Sequence, residues 1–365
     1  MRLHPQLKAL HSRLVELIER GERAALATII ESYGSTPQTP GFSALFTAPG
    51  LERGTLGGGI LEKDAETRAA EALASRDSIL YEFTLEADMA ALEGAICGGG
   101  VRILIDADPA RNLPAFQSLV RSLGRRRPGA LATAIVREGD QIRVDRLWVP
   151  SGSERSIDTQ PYAGFRDAIA ESLSLREPRL VAAPQHGTPA GPAREELFIE
   201  PVSPLPRLVI AGAGHIGAAV THLGSRLEFE VTVIDDRPEF ANPDNLPDAD
   251  RIIVDDIGRA VGSLDVDPDT YVVIVTRGHR HDGEALRACI ASDAAYLGMI
   301  GSRNKVALMR DRFIEQGWAT AEQWDRVHTP IGLEIHSQTV EEIAVSIAAQ
   351  LVLERGRAAR KSTKP

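Results

Sequence analysis

The sequence predicts an α/β protein of two domains, a mixed α/β domain followed by a parallel-sheet domain. Three observations predict it. The chain has 365 residues, more than one average domain holds. A proline cluster at residues 201–206 (PVSPLP) separates two kinds of hydrophobic pattern. Beyond it, strands and helices alternate regularly, as right-handed crossovers between parallel strands require.

The first domain, taken as residues 1–200, opens with Leu7, Leu10, Leu14, Leu17 and Ile18 at helical spacing among polar residues. That pattern predicts an amphipathic helix and not a signal peptide. Arg23 to Glu31 is an apolar, β-branched run stopped by Gly34-Ser35-Thr36-Pro37, hence a strand and a loop. Phe42 to Thr47 predicts a second strand, and Gly54 to Gly59 a glycine-dense turn from which the helix Glu62 to Ala74 starts. Ile79 to Leu85 and Val101 to Asp106 predict strands, the latter introduced by Cys97-Gly98-Gly99-Gly100. Leu113 to Leu123 predicts a helix, and Leu131 to Glu138 with Gln141 to Val149 a hairpin across Gly139-Asp140. LATIIE at residues 26–31 is faintly echoed by LATAIV at 131–136, as a degenerate strand repeat would be, although such short strings also arise by chance. Residues 150–194 read as loop-rich around a helix from Tyr162 to Leu173, and Glu196 to Glu200 closes the domain as a strand.

Residues 201–206 are the predicted linker, 207–354 the second domain and 355–365 a flexible tail. The second domain reads as strand Arg207 to Ala211, helix Gly217 to Leu227, then strands Glu230 to Ile234, Arg251 to Val254 and Tyr271 to Thr276. Helix Gly283 to Ala291, strand Ala295 to Ile300 and helix Lys305 to Gln316 follow. Between the first strand and helix, Gly212-Ala213-Gly214-His215-Ile216-Gly217 fits G-x-G-x-x-G, and the next strand ends in Asp235-Asp236. This context makes the domain Rossmann-like. Gly212 permits the tight turn, Gly214 leaves room for a pyrophosphate, and Gly217 lets helix and sheet pack closely. Free N–H groups at the helix start would face the phosphate, and Asp235 is placed to accept hydrogen bonds from a ribose diol.

Two more clusters fall at carboxyl ends of strands, where open α/β sheets bind ligands: Thr276-Arg277-Gly278-His279 with Asp282, and Gly301-Ser302-Arg303-Asn304-Lys305. Hydroxyl, glycine and cation together suit an anion. In the first domain, Gly57-Gly58-Gly59 and Gly98-Gly99-Gly100 mark backbone of positive φ or close approach, and their N–H groups can form anion nests. Cys97 beside such a nest is either a thiolate candidate or a buried structural cysteine, and Glu62 a functional carboxylate or a favourable first-turn charge. Cys289 sits in a helical apolar pattern and reads as core.

The net charge of -10 gives no electrostatic reason to expect nucleic acid or an anionic membrane. No stretch approaches the roughly 18 apolar residues of a spanning helix. Two distant cysteines make neither a disulfide framework nor a zinc signature, so no metal site is expected and a reducing cytoplasm is the simplest setting.

Taken together, these strings resemble the XdhC/CoxI family of xanthine dehydrogenase accessory proteins. The likeness is carried by Gly34-Ser35-Thr36-Pro37 with Pro40-Gly41, Gly54-Thr55-Leu56-Gly57-Gly58-Gly59 with Glu62, and Cys97-Gly98-Gly99. Further on it is carried by Gly212-Ala213-Gly214-His215, Asp235-Asp236-Arg237-Pro238, Thr276-Arg277-Gly278-His279 with Asp282, and Gly301-Ser302-Arg303 with Lys305. Pro330-Ile331-Gly332-Leu333 and Glu341-Glu342-Ile343-Ala344 complete the set. The resemblance implies a chaperone that binds the molybdenum cofactor (molybdopterin, as such or as its dinucleotide), promotes its sulfuration through a cysteine desulfurase, and passes it to an apo molybdenum hydroxylase. Glycine loops and Cys97 would face pterin or metal, and the Rossmann domain would hold a nucleotide. The chain departs from the family at Ile60, where a cysteine is common, and at His336, where an Ile-Gly pair is usual. On this reading Cys97 acts alone. A different reading remains open: an NAD(P)-dependent oxidoreductase, with His279 and Asp282 as its acid–base candidates. A homodimer is compatible with either.

Overall fold

The computed structural model describes residues 6–34, 39–84, 99–139, 141–160, 162–182 and 194–362. The chain divides into two compact units, Met1–Pro204 and Leu205–Pro365.

The first unit is built twice on one plan. Its first half runs α1 (Gln6–Glu19), β1 (Ala25–Tyr33), β2 (Ser43–Thr47), β3 (Gly50–Gly54), α2 (Gly59–Ser75), β4 (Ile79–Thr84) and β5 (Gly100–Asp106). The second runs α3 (Leu113–Gly124), β6 (Gly129–Glu138), β7 (Gln141–Pro150), α4 (Arg166–Leu175), β8 (Arg179–Ala182) and β9 (Arg194–Val202). The sheet orders are β3-β2-β1-β5-β4 and β7-β6-β9-β8, so without β3 the two antiparallel sheets share one topology. Registers agree as well: Leu26 faces Asp106 as Leu131 faces Glu200. So do the turns. Arg76 and Arg176 end α2 and α4 in the left-handed region, each N–H reaching the carbonyl four residues back. The echo between LATIIE and LATAIV thus marks equivalent strands.

Alternation along the strands sorts the core. Ala27, Ile29, Ile103 and Ile105 face α2, and Ala132, Ala134, Leu197 and Ile199 face α4. The opposite faces meet each other and the paired helices α1 and α3, through Leu14, Leu26, Phe116, Leu119 and Leu131, and through Ile30, Leu104, Ile135 and Phe198. This interior also holds charge. Arg146 pairs with Asp106, and Glu200, 3% exposed, occupies the position equivalent to Asp106. Oε1 of Glu200 finds no hydrogen-bond partner among the described residues, and burial pushes its pKa up to about 8.

The second unit has β10 (Arg207–Ala211), α5 (His215–Arg226), β11 (Glu230–Asp235), β12 (Arg251–Val254), α6 (Ile257–Gly262), β13 (Thr270–Ile274) and α7 (His279–Cys289). It continues with β14 (Tyr296–Met299), α8 (Arg303–Glu315), α9 (Ala321–Asp325), β15 (Val327–His328) and α10 (Val340–Ser362). The order β12-β11-β10-β13-β14-β15, parallel throughout, is the Rossmann order, with its switch point between β10 and β13. One core lies under α6, α7 and α8, the other under α5 and α10.

Several elements differ from the sequence expectation. The strand expected at Glu196 to Glu200 runs on through Pro201 to Val202. Proline is tolerated there because β8 pairs β9 only as far as Ile199, so that on that side Pro201 has no strand partner among the described residues. Residues 355–362, expected as a flexible tail, continue α10; Arg355 donates to the Leu227 carbonyl at 2.5 Å and lies over the Phe229 ring. β3, β8, β15, α6, α9 and α10 were not expected, and α5 begins at His215, so that Gly217 lies inside its first turn.

Candidate functional site

In the second unit the carboxyl ends of β10, β11, β13 and β14 form one edge, and the expected residues assemble along it. The three glycines of the turn differ in what they do. A methyl on Gly217 would lie 1.9 Å from the Gly212 carbonyl oxygen, and one on Gly212 2.5 Å from that of Val275, so both are demanded by packing. Around Gly214 there is open space. It precedes α5 with no side-chain cap, leaving first-turn N–H groups to a ligand. His215 is the first residue of that helix.

Asp235 ends β11 beside this turn and is 1% exposed. Its Oδ2 accepts from the Ala213 N–H at 2.8 Å and from Arg237 Nη2 at 2.9 Å, its Oδ1 from the Arg237 N–H at 3.0 Å and Nε at 2.9 Å. Burial opposes its charge, but these bonds prevail and hold its carboxyl below the usual carboxylate range. Next to it, Asp236 accepts from Arg277 Nη2 at 2.8 Å, tying the end of β11 to that of β13.

Gly278 opens α7 without a side-chain cap and also faces open space. Asp282 is not poised for proton transfer in the open. It is buried, and its Oδ1 accepts from Thr276 Oγ1 at 2.6 Å and from the Thr276 N–H at 3.2 Å, fixing the loop ahead of the helix. Burial raises its pKa. Ser302 is the uncapped start of α8, and Arg303 and Lys305 are exposed in its first turn. Lys305 and His279 also reach a groove of about 810 Å³ between α7 and α8, lined by Arg287, Met309, Arg312 and Trp318. Sequence reasoning missed this groove; Arg287, Arg312 and Trp318 are scattered in sequence and only their stacking brings them together.

The first unit holds the other glycines. Gly57, Gly58 and Gly59 all have positive φ, at 116°, 74° and 61°. Glu62 clamps this turn: its Oε2 accepts from Thr55 Oγ1 at 2.6 Å and the Leu56 N–H at 3.0 Å, while the Leu56 side chain is buried in the core. β3 returns the chain alongside β2, so the turn lies toward the carboxyl end of β1. The same end carries Gly34, Gly41 and Gly99, since β5 starts opposite Tyr33. Gly100 has a packing reason, because a methyl there would enter the Tyr33 ring. Cys97 and Gly98 lie outside the described residues, as do residues 35–37 of the first loop.

Among the described residues no helix is long and apolar enough to cross a membrane, and no group of three His, Cys, Asp or Glu is arranged to hold a metal. Cys289 is buried, and that burial pushes its thiol up to about 12.

Residues 208–351 match a model of the XdhC Rossmann domain, and residues 17–84 a model of the XdhC and CoxI family. The chain belongs to the XdhC/CoxI family. The parallel sheet of the second unit is therefore this family's Rossmann domain, and in the first unit the match runs from the end of α1 through β4. A Bacillus subtilis protein, named as a probable xanthine dehydrogenase subunit, is 26% identical over 355 residues, covering 96% of this chain and 98% of its own. The uncharacterized protein YqeB of Escherichia coli is 35% identical over 198 residues, 51% of this chain but only 36% of that protein. A crystal structure of a Bacillus halodurans protein named xanthine dehydrogenase shares the fold, with a TM-score of 0.74 at 24% identity over 97% of this chain and 98% of that one. His336 stands at φ 59°, in the left-handed region that favours glycine, and its side chain is exposed.

Proposed function

We propose that this protein is a cytoplasmic chaperone that binds the molybdenum cofactor, supports its sulfuration and delivers it to an apo hydroxylase of the xanthine, aldehyde or carbon monoxide dehydrogenase class. The observation that carries the reading is the glycine-built sheet end of the first unit. There Gly58 combines φ 74° and ψ -171°, a backbone essentially reserved for glycine, and no described residue lies within 4 Å of where a methyl would stand. Such a surface lets a flat pterin lie against N–H groups without side chains between.

The residues present fit that group. Gly57, Gly58, Gly59 and Gly99 would take the pterin, with Cys97 two residues before Gly99 as the thiol candidate. The second unit, taken by itself, has the chemistry for a phosphate ligand in the N–H groups behind Gly214, with Gly278 and the Ser302–Lys305 cluster. In its client enzyme the cofactor supplies a redox-active molybdenum centre. This chain's own task is to hold and orient it; Glu62 and Asp282 serve by fixing their loops. Family membership and the name of the Bacillus subtilis relative support a hydroxylase as client, and a cysteine desulfurase is the second partner this reading requires.

Purification without oxygen from cells making molybdopterin, followed by pterin and molybdenum assay, tests this. A stoichiometric load that Cys97→Ser lowers and that activates an added apo hydroxylase is expected. Absence of pterin, together with substrate-dependent reduction of a nicotinamide nucleotide, would overturn it.

A further inference from the structure

A Rossmann turn with an acid at the tip of the second strand implies NAD(H), whose adenosine ribose gives both diol protons to that acid. The residues present do not fit it. A carboxylate offers about four lone-pair positions. At Asp235 all four are filled within the unit: two by the Arg237 fork, one by the Arg237 N–H and one by the Ala213 N–H. Bond lengths between 2.8 and 3.0 Å leave no weak member for a hydroxyl to displace.

The fork is held in place from several sides. Arg237 lies over the Phe240 ring at 4.1 Å, and its carbonyl accepts from the N–H groups of Phe240 and Ala241. Its side chain is 22% exposed, against 2% for Asp235, so the guanidinium covers the acid from solvent. An incoming ribose would meet the guanidinium, which can donate to a hydroxyl oxygen but offers no acceptor for the diol protons. Guanidinium and carboxylate are satisfied as a bidentate pair, and separating them under a ligand leaves both charges to be compensated.

We infer that Arg237 is the specificity-determining residue of this Rossmann domain, closing the ribose-diol position so that ligands are read by phosphate at the Gly214 turn and NAD(H) is rejected. The inference goes beyond the cofactor-delivery reading and is tested without pterin. NADH and its analogue lacking the adenosine 2′-hydroxyl are titrated against the full chain and Arg237→Ala by calorimetry. The wild type should bind both weakly and equally. Arg237→Ala frees two acceptor positions and should bind NADH about tenfold or more tightly than the wild type does, with no gain for the analogue. A wild type that prefers NADH to the analogue tenfold, or a folded Arg237→Ala with no NADH gain, overturns it. Should Arg237→Ala not fold, Arg237→Lys, which keeps the charge but cannot form the fork, is read by the same two criteria.

Discussion

The two halves of the first unit share topology, register and turn geometry, yet among the described residues the run of three glycines at positive φ, Gly57-Gly58-Gly59, stands in the first alone. The difference is one strand. In the second half, β7 ends opposite Gly129, at the amino end of β6, and the chain leaves toward α4 from there. In the first half, β3 carries the chain back along β2, so α2 starts toward the opposite end, level with Gly41 and on the side of Gly99. An inserted hairpin strand is enough to turn a structural repeat into a place where backbone lies open. The interior shows a second divergence: Asp106 has Arg146, whereas the equivalent Glu200 has an oxygen without a partner among the described residues.

The largest way to break this symmetry is Arg146→Met, which strands the buried Asp106. It should cost about 3–5 kcal/mol, measured by urea unfolding. Glu200 sharpens the same contrast through pH. Its pKa rises from 4.5 unfolded to about 8 folded, so between those values the unfolded chain binds fewer protons and stability falls as pH rises. Thermal melts should show Glu200→Gln flattening that fall, by an amount on the order of a few kcal/mol at pH 8, with little effect at pH 4.5. Glu62→Ala removes the clamp from the glycine turn and should cost about 1–3 kcal/mol in denaturant unfolding. At the small end, Gly214→Ala in the second unit stands at φ -70° in open space and should shift stability by less than about 0.5 kcal/mol in the same assay, because no clash or strain is introduced.

Much of the second unit was legible in the sequence. β10 and β12 fall at the expected bounds, because both are short apolar runs with breakers on either side. The glycine turn was legible for the same reason that it is rigid: Gly212 and Gly217 answer to backbone clashes. What the sequence hid were features made by tertiary contacts. β15 is two residues long and pairs only because β14 is present. The last turns of α10 read as a basic tail until Arg355 is seen against Phe229. Arg237 is legible in the sequence only as part of Asp235-Asp236-Arg237-Pro238, and its fork onto Asp235 is what changes what that acid can bind. The internal repeat left just LATIIE and LATAIV as a trace, since a shared topology constrains burial and not identity.

The central claim, that the glycine-built end of the first half holds the cofactor, is tested most directly by a matched pair of substitutions. Gly58 at φ 74° and Gly152 at φ 86° both stand in left-handed backbone with open space around them, one in each half. Each substitution puts a side chain at positive φ, at a cost of about 1–3 kcal/mol that melts will measure for both. Pterin content after anaerobic purification should stay at the wild-type level in Gly152→Ala and fall severalfold in Gly58→Ala. Equal pterin content in the two variants would contradict the claim.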